Sequence, residues 1–454
     1  MDNIGRDRLL YGLAASSFIL VFTRAVIQSI TIDEADTVLV WVLRTEPSHW
    51  QAGANNHVLN SILIRLLVTV FGVHNLTTRG PALLGAFLYL TACIFLCRLI
   101  MRSALARCIL FAALALNPFI LDYLVAARGY GLALAFLMWA VLILASLHFG
   151  EDRGPRIERR LAACSASAGL SFASNFSFAP IIAFVLAAVL VRCYLVRKHP
   201  FVLLLAATAP AGAAVGFLCL PHLADRHHIE LVHGATTLKD MILSVVNSLL
   251  FEPNPFILNP FLYQLFVYCQ SLILPFVATL SVLYLVLRLA RMRRRSGSAQ
   301  PSQRVYFALL LTGIVAGAIF LHWVLRRIWG VLLPMDRTAL FVVPLVVLAV
   351  GSLLADQAEG KILRRLRAVA IGSAIATTFF FLGCLRLTYF REWKFGADVE
   401  PIYQILAEYH HKLGVRTVPA NWRYTSSLNY YMAASGKRSE EHTSDSSHAN
   451  ISYA

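Results

Sequence analysis

Long, uninterrupted apolar runs alternate with short polar segments along this chain. Many of the runs reach about 18 residues, the length that a helix needs to cross a bilayer. They lack the strict alternation of apolar and polar residues that is typical of membrane-barrel strands. The pattern predicts an all-α polytopic membrane protein with about eleven transmembrane helices. We place these spans at about 9–29, 80–100, 106–121, 130–148, 161–175, 178–195, 201–220, 264–287, 305–325, 338–355 and 368–385.

Composition and charge agree with this class. The 454 residues are 58% hydrophobic and 14% charged, whereas about a quarter of the residues in a soluble domain are charged. The net charge of +16 is not interpreted as nucleic-acid binding, because most lysines and arginines before residue 386 fall between alternate spans. With a cytoplasmic N-terminus these basic segments all face the cytoplasm, as the positive-inside rule requires. We therefore expect membrane lipid, and no nucleic acid, as a partner.

This orientation divides the transmembrane part, residues 1–385, into loops on the two sides. Outer loops are predicted at about 30–79 and 221–260, and a basic cytoplasmic loop at about 288–304. The apolar stretch Ile62–Phe71 is short and contains Arg65, so we expect an interfacial helix on the outer surface.

The chain changes character after the last predicted span. Residues 386–437 predict the start of a small, incomplete outer-face domain, with a helix at 398–413, an extended piece at 416–419 and mixed structure at 426–433. The segment Arg438–Ser444 resembles the translation of a sequencing-library adapter. We therefore interpret residues 438–454 as a non-native tail.

Three carboxylates follow the first span. Asp33, Glu34 and Asp36 lie within four positions. In a helix, Asp33 and Asp36 share one face and Glu34 points elsewhere. Acids at a membrane surface are costly to desolvate, so they tend to be functional or paired. The alternative is a solvated helix start, where the helix dipole favours acids.

Other polar residues are predicted to lie on the same outer side, namely Asn56, His57, Arg79, Arg128 and Arg337. An arginine at membrane depth is costly unless it meets an anion, and its planar fork suits phosphate. The alternatives are snorkelling for Arg337 and a structural pair with Asp122 or a lipid headgroup for Arg79 and Arg128. His57 could equally be a structural interfacial histidine.

The outer loop after the seventh span is rich in histidine. Its residues His222, His227, His228 and His233 lack a fixed metal-ligand spacing, so we predict no metal site. The sequence predicts no cofactor, and a requirement for a divalent cation stays open.

Outer carboxylates, a histidine and arginines on a membrane scaffold suit group transfer from a lipid-linked phosphate donor. The lipid tail of such a donor needs the membrane, and the arginines would stabilise the phosphate as it leaves. A carboxylate would serve as the general base for an acceptor hydroxyl. The chain has no nucleotide-binding glycine loop, which fits a donor already activated on a lipid.

Several motifs resemble those of the GT-C fold glycosyltransferases, and in particular the bacterial protein-mannosyltransferase and aminoarabinose-transferase group. The motifs are Ile32-Asp-Glu-Ala35, Asn56-His57 with Leu59-Asn60-Ser61, Arg79-Gly-Pro81, Ala127-Arg-Gly-Tyr130 and Pro334-Met-Asp-Arg337. The resemblance covers roughly residues 8–385 and implies a GT-C-like fold in which this part is catalytic.

The resemblance also implies roles for single residues. Asp33 matches the catalytic base and Glu34 its acidic neighbour, so both are predicted as catalytic. Arg79 matches an arginine near the donor phosphate. Substrate contact is further predicted for Asp36, Asn56, His57, Arg128 and Arg337.

The combined prediction is a glycosyltransferase of the bacterial inner membrane. It would move a sugar from a polyprenyl phosphate to an acceptor hydroxyl on the outer face, with sugar and acceptor left open. One alternative is a transporter or flippase of lipid-linked sugars, which would need broken helices or charges near the midplane. The other is a lipid-linked glycan ligase or polymerase, which would need a larger outer loop.

Overall fold

The computed structural model describes residues 7–50, 56–150, 157–196, 200–219, 234–250, 254–269, 271–272, 302–356, 361–414, 417–436 and 448–452. The histidine-rich segment, most of the basic loop and of the predicted span at 264–287, and residues 438–447 lie outside these ranges.

The described residues are almost entirely helical, which confirms the predicted all-α class. In chain order the helices are α1 (Arg8–Ile27), α2 (Ile32–Asp36), α3 (Val58–Phe71), α4 (Asn75–Ile100), α5 (Ala104–Ala115), α6 (Pro118–Val125), α7 (Tyr130–Phe149), α8 (Ile157–Ser174), α9 (Ala179–Val196), α10 (Pro200–Leu218), α11 (Leu238–Leu250), α12 (Pro260–Cys269), α13 (Gln303–Trp329), α14 (Val342–Ala355), α15 (Lys361–Gly383), α16 (Val399–Leu413) and α17 (Trp422–Ala434). Strands β1 (Thr417–Asn421) and β2 (His448–Ser452) form one antiparallel ribbon.

The structure does not confirm the predicted number of eleven membrane spans. Within the described ranges, seven helices are long and apolar enough to cross a membrane, or eight if α5 and α6 form one span. Helices α5 and α6 meet at Asn117-Pro118 with a bend of 62°. The Asn117 side chain accepts a hydrogen bond from the Phe119 amide, so the bend caps a new helix. A proline at this position cannot continue α5 as a regular helix, which is why the chain bends here.

The core of the membrane part is formed by α4, α7 and α8, which lie side by side. Helices α4 and α7 approach closely at Gly85 and Gly131. A Cβ atom on Gly85 would lie 2.7 Å from the carbonyl carbon of Gly131, so only glycine fits this crossing.

Helix α3 is the predicted interfacial segment. It has 14 residues, which corresponds to roughly 21 Å and is too short for a typical bilayer core. Arg65 on α3 donates a hydrogen bond to the Thr45 carbonyl oxygen at 2.9 Å, which ties the helix to the first loop.

A buried carboxylate joins the last described helix of the membrane part to the first. Asp122 on α6 accepts a hydrogen bond from Arg24 on α1. It accepts a second one, at 2.8 Å, from Arg386, a residue that follows α15 in the chain. It also accepts the Arg391 amide at 2.9 Å. Asp122 therefore pairs with these two arginines.

Residues 426–433, expected to be mixed, are helical. Helix α17 begins after Asn421, whose side chain accepts a hydrogen bond from the Arg423 amide. The helix buries Tyr430 and Tyr431 against the segment that follows α1, where the Tyr431 hydroxyl accepts a hydrogen bond from the Ile30 amide at 2.9 Å. This tertiary packing favours the helix, and the local composition does not show it.

We expect Asp122→Asn to lower the stability of the protein strongly. The change leaves buried arginine charge without its carboxylate, which typically costs ~3–5 kcal/mol. The measurement is the thermal midpoint of the detergent-solubilised protein. Glu408→Gln is the control, because Glu408 forms an exposed pair with Lys412 on α16. Equal midpoints for the two variants would show that Asp122 does not hold these elements together.

Candidate active site

Glu34 and Arg79, two of the predicted site residues, form a buried ion pair. Thr31 caps helix α2, because its hydroxyl accepts the Glu34 amide while the Glu34 carboxylate accepts the Thr31 amide at 2.9 Å. Arg79, in the first turns of α4, donates to both carboxylate oxygens of Glu34 at 2.9 and 2.8 Å. Both side chains are completely buried.

Every N–H group of Arg79 bonds to protein. Its Nη1 atom donates to the carbonyl oxygens of Ala25 and Gln28 at 3.0 and 2.7 Å, and Nη2 donates to Ser29 at 2.9 Å. These carbonyls lie at the end of α1, where a helix leaves acceptors unsatisfied. With the two bonds to Glu34, all five donors are occupied.

The Glu34 carboxylate is equally saturated. Besides Thr31 and Arg79, it accepts the Ala127 amide at 2.8 Å, and the Ala127 carbonyl accepts from Asn60 at 3.0 Å. Burial alone would raise the pKa of Glu34, but the Arg79 charge and these hydrogen bonds outweigh it and hold the pKa below its usual value. Neither Glu34 nor Arg79 has a hydrogen-bonding position left for a substrate.

Asp33 faces the other way, into a partly open space between two arginines. Its side chain is 24% exposed. Arg337 Nη1 lies 3.3 Å and Arg128 Nε lies 3.8 Å from the same oxygen, Asp33 Oδ2. Arg128 also donates to the Asp33 carbonyl at 3.1 Å and to the Thr37 hydroxyl at 2.9 Å, which places its guanidinium beside α2. The structure therefore brings together three of the predicted residues.

Arg337 is held by an unusual turn that precedes α14. Asp336 has a φ of +45°, in the left-handed region that few residues other than glycine adopt. Two serines of α11 support this conformation: Ser248 donates to the Asp336 carboxylate at 3.0 Å, and Ser244 accepts the Asp336 amide at 3.1 Å.

Glu392 is a site residue that the sequence analysis missed. Its carboxylate accepts hydrogen bonds from Arg337 and from the Tyr123 hydroxyl. Trp393 lies beneath this cluster, 6.0 Å from the Arg337 guanidinium carbon and 6.0 Å from the Tyr123 ring. An available signal was an acid in the aromatic-rich stretch Tyr389-Phe-Arg-Glu-Trp393, shortly after the last predicted span.

His57 closes the site on the side of α3. It is 3% exposed, and neither of its ring nitrogens has a hydrogen-bond partner. Burial, followed by the charges of Arg128 and Arg337, holds its pKa well below the usual value, so the ring is neutral near pH 7. Gly129, with a φ of +73°, lets the backbone pass close to the His57 ring, since a Cβ there would lie 2.9 Å from His57 Cβ.

The two remaining candidates lie nearby. Asn56 is buried and its side-chain oxygen accepts the Ser61 hydroxyl at 3.0 Å. Asp36 is partly exposed, one helical turn after Asp33. Among the described residues, no three histidine, cysteine or acidic side chains are grouped to hold a metal ion.

Comparison with solved structures identifies the architecture. The chain is similar to ArnT from Cupriavidus metallidurans bound to undecaprenyl phosphate, with 12% identity over 96% of this chain and 88% of that chain and a TM-score of 0.52. ArnT is an aminoarabinose transferase of the GT-C class. This chain has the GT-C fold. The predicted resemblance is thus confirmed at the level of the fold, and the protein is a multi-pass membrane protein.

A second solved structure and two sequence comparisons were also considered. The apo state of the same ArnT has 12% identity, a TM-score of 0.37 and coverage of 99% of this chain and 98% of that chain. No protein-family model and no curated protein matches the sequence.

We expect Glu34→Gln to lower stability at neutral pH and to flatten its pH dependence. Because the folded-state pKa of Glu34 is depressed, its contribution is complete above the usual value of 4.5 and is lost as the pH falls below it. The gap between the thermal midpoints of wild type and variant should therefore hold from about pH 7 to about pH 5 and should narrow as the pH falls from about 4.5 to about 3. A gap that stays constant over this range would show that the Glu34 charge adds nothing to stability.

Proposed function

We propose that this protein is a membrane glycosyltransferase that moves a sugar from a polyprenyl phosphate to an acceptor hydroxyl. The observation that carries the proposal is the position of the Asp33 carboxylate between Arg128 and Arg337, in a chain with the GT-C fold. The similar ArnT was solved bound to undecaprenyl phosphate, which supports a donor of this class.

The reaction follows from these positions. Asp33 accepts the proton of the acceptor hydroxyl, and the acceptor oxygen forms a bond to the anomeric carbon of the sugar. The bond from that carbon to the phosphate oxygen breaks, and its electron pair goes to the leaving polyprenyl phosphate. Arg337 and Arg128 stabilise the charge that develops there, in a site where burial strengthens electrostatic interactions.

The neutral ring of His57 suits contact with a sugar. One unpartnered ring nitrogen can accept a hydrogen bond from a sugar hydroxyl, and the other can donate one to a second oxygen. We assign His57, with Asn56 and Asp36 beside it, to recognition of the donor sugar or the acceptor. We propose the outer face of the inner membrane as its location, because the basic segments of the sequence predict that side for the site.

Glu34 and Arg79 receive a different role from the one that the sequence suggested. Since all their hydrogen-bonding positions are occupied by protein atoms, we assign them to the scaffold that orients Asp33. Arg79 would therefore not contact the donor phosphate, and Glu34 would not exchange a proton.

We expect Asp33→Asn to abolish transfer while donor binding remains. Loss of a general base typically lowers the rate about 10²–10⁴-fold, and an amide in place of the carboxylate leaves both arginines available for phosphate. The measurement is transfer of labelled sugar from a panel of polyprenyl-phosphate sugars to envelope acceptors, with separate binding of polyprenyl phosphate.

The matched control is Asp398→Asn, an exposed aspartate before α16 that makes no side-chain capping bond. It should transfer sugar like wild type. An Asp33→Asn variant that remains active would rule out the proposed base. Binding of polyprenyl phosphate without turnover of any donor would favour a transporter of lipid-linked sugars.

A further inference from the structure

Glu392 bonds to Arg337, one of the two arginines that we assign to the donor phosphate. We infer that Glu392 is an internal substitute for the donor phosphate: its carboxylate fills an anion site formed by Arg337 and Tyr123, and the phosphate displaces it. This inference rests on the proposed function, because it takes the anion to be the phosphate of a polyprenyl-phosphate donor.

The first argument is the donor set around the carboxylate. One oxygen of Glu392 accepts from Arg337 and the other accepts from the Tyr123 hydroxyl. A guanidinium and a hydroxyl that together hold a carboxylate can hold a phosphate with the same hydrogen bonds. Tyr123 is 2% exposed, so its hydroxyl needs a new acceptor when Glu392 leaves, and a phosphate oxygen meets that need.

The second argument is that the anion site is occupied on both sides. Arg337 Nη1 contacts Glu392 and, at 3.3 Å, Asp33. A phosphate cannot bond to this nitrogen while both carboxylates hold it. Binding therefore requires one carboxylate to withdraw, and the withdrawal of Glu392 leaves Asp33 near the reacting atoms, where the proposed mechanism needs it.

The third argument concerns which part can move. The backbone on both sides of Glu392 is anchored: the Arg391 amide donates to Asp122 at 2.9 Å, and the Trp393 side chain is buried. The Glu392 side chain itself is 38% exposed, more than the other charged groups of the cluster. Rotation of this one side chain into solvent is thus sufficient to open the anion site.

The alternative is that Glu392 only supports Arg337, and the two roles predict opposite effects on phosphate binding when the Glu392 charge is removed. If Glu392 only held Arg337 in place, the loss of its charge would weaken phosphate binding. If Glu392 competes with phosphate, the loss of its charge must strengthen it, because a like charge no longer opposes the ligand.

The test compares wild type with Glu392→Gln in lipid nanodiscs, using a short-chain prenyl phosphate as the probe and its dissociation constant as the readout. We expect Glu392→Gln to bind about tenfold more tightly, and to show a lower KM for the donor without a higher kcat. Glu392→Asp, which keeps the charge but shortens its reach, should bind with intermediate affinity and serves if the glutamine variant does not fold.

The matched control is Glu46→Gln, since Glu46 forms another glutamate–arginine pair, with Arg65 at 3.5 Å. Its affinity should equal that of wild type. Weaker or unchanged binding by the Glu392 variants, with normal binding by wild type, would overturn this inference alone. Absence of prenyl-phosphate binding in wild type and variants alike would overturn the proposed function as well.

Discussion

The buried pair of Glu34 and Arg79 is the interaction on which the rest of this site depends. Burying two charges costs several kcal/mol for each ion, and their attraction offsets this only when the remaining hydrogen-bonding positions are satisfied. Here they are satisfied by the end of α1, the cap of α2 and the Ala127 amide. One ion pair therefore sets the relative positions of four chain segments, namely the end of α1, helix α2, the start of α4 and the segment at Ala127.

The orientation of Asp33 follows from that arrangement. On a short helix, adjacent residues point about 100° apart, so a Glu34 directed into the protein leaves Asp33 directed toward the open side. Thr37 and the Asp33 carbonyl then hold Arg128 against the same helix. Within the site, Arg128 and Arg337 balance Asp33 and Glu392, and the neutral His57 adds no charge. A phosphate adds negative charge to this site, so its binding is favoured when one of the two carboxylates moves away from the arginines.

The sequence predicted the helices better than it predicted the roles of single charged residues. Unbroken apolar runs are local features of the sequence, so the fold class could be predicted from them. The convergence of Asp33, Arg128 and Arg337 followed from motif order. The saturation of Glu34 and Arg79 could not be predicted, because it depends on backbone groups of Ala25, Gln28 and Ala127 that carry no sequence signal. Glu392 was missed because it meets Arg337 from 55 residues away, in a stretch that predicted a separate domain.

The turn at Asp336 explains why Glu392, and not Arg337, is the group that can withdraw. A left-handed residue other than glycine costs roughly 1–2 kcal/mol, less for aspartate, whose side chain can bond locally. The bonds to Ser244 and Ser248 on α11 offset that cost only in this one conformation. They therefore hold the backbone of Arg337 against a packed helix. The backbone of Arg337 is therefore fixed, whereas the Glu392 side chain is partly exposed. When a phosphate binds, we expect the Glu392 carboxylate to move and Arg337 to stay.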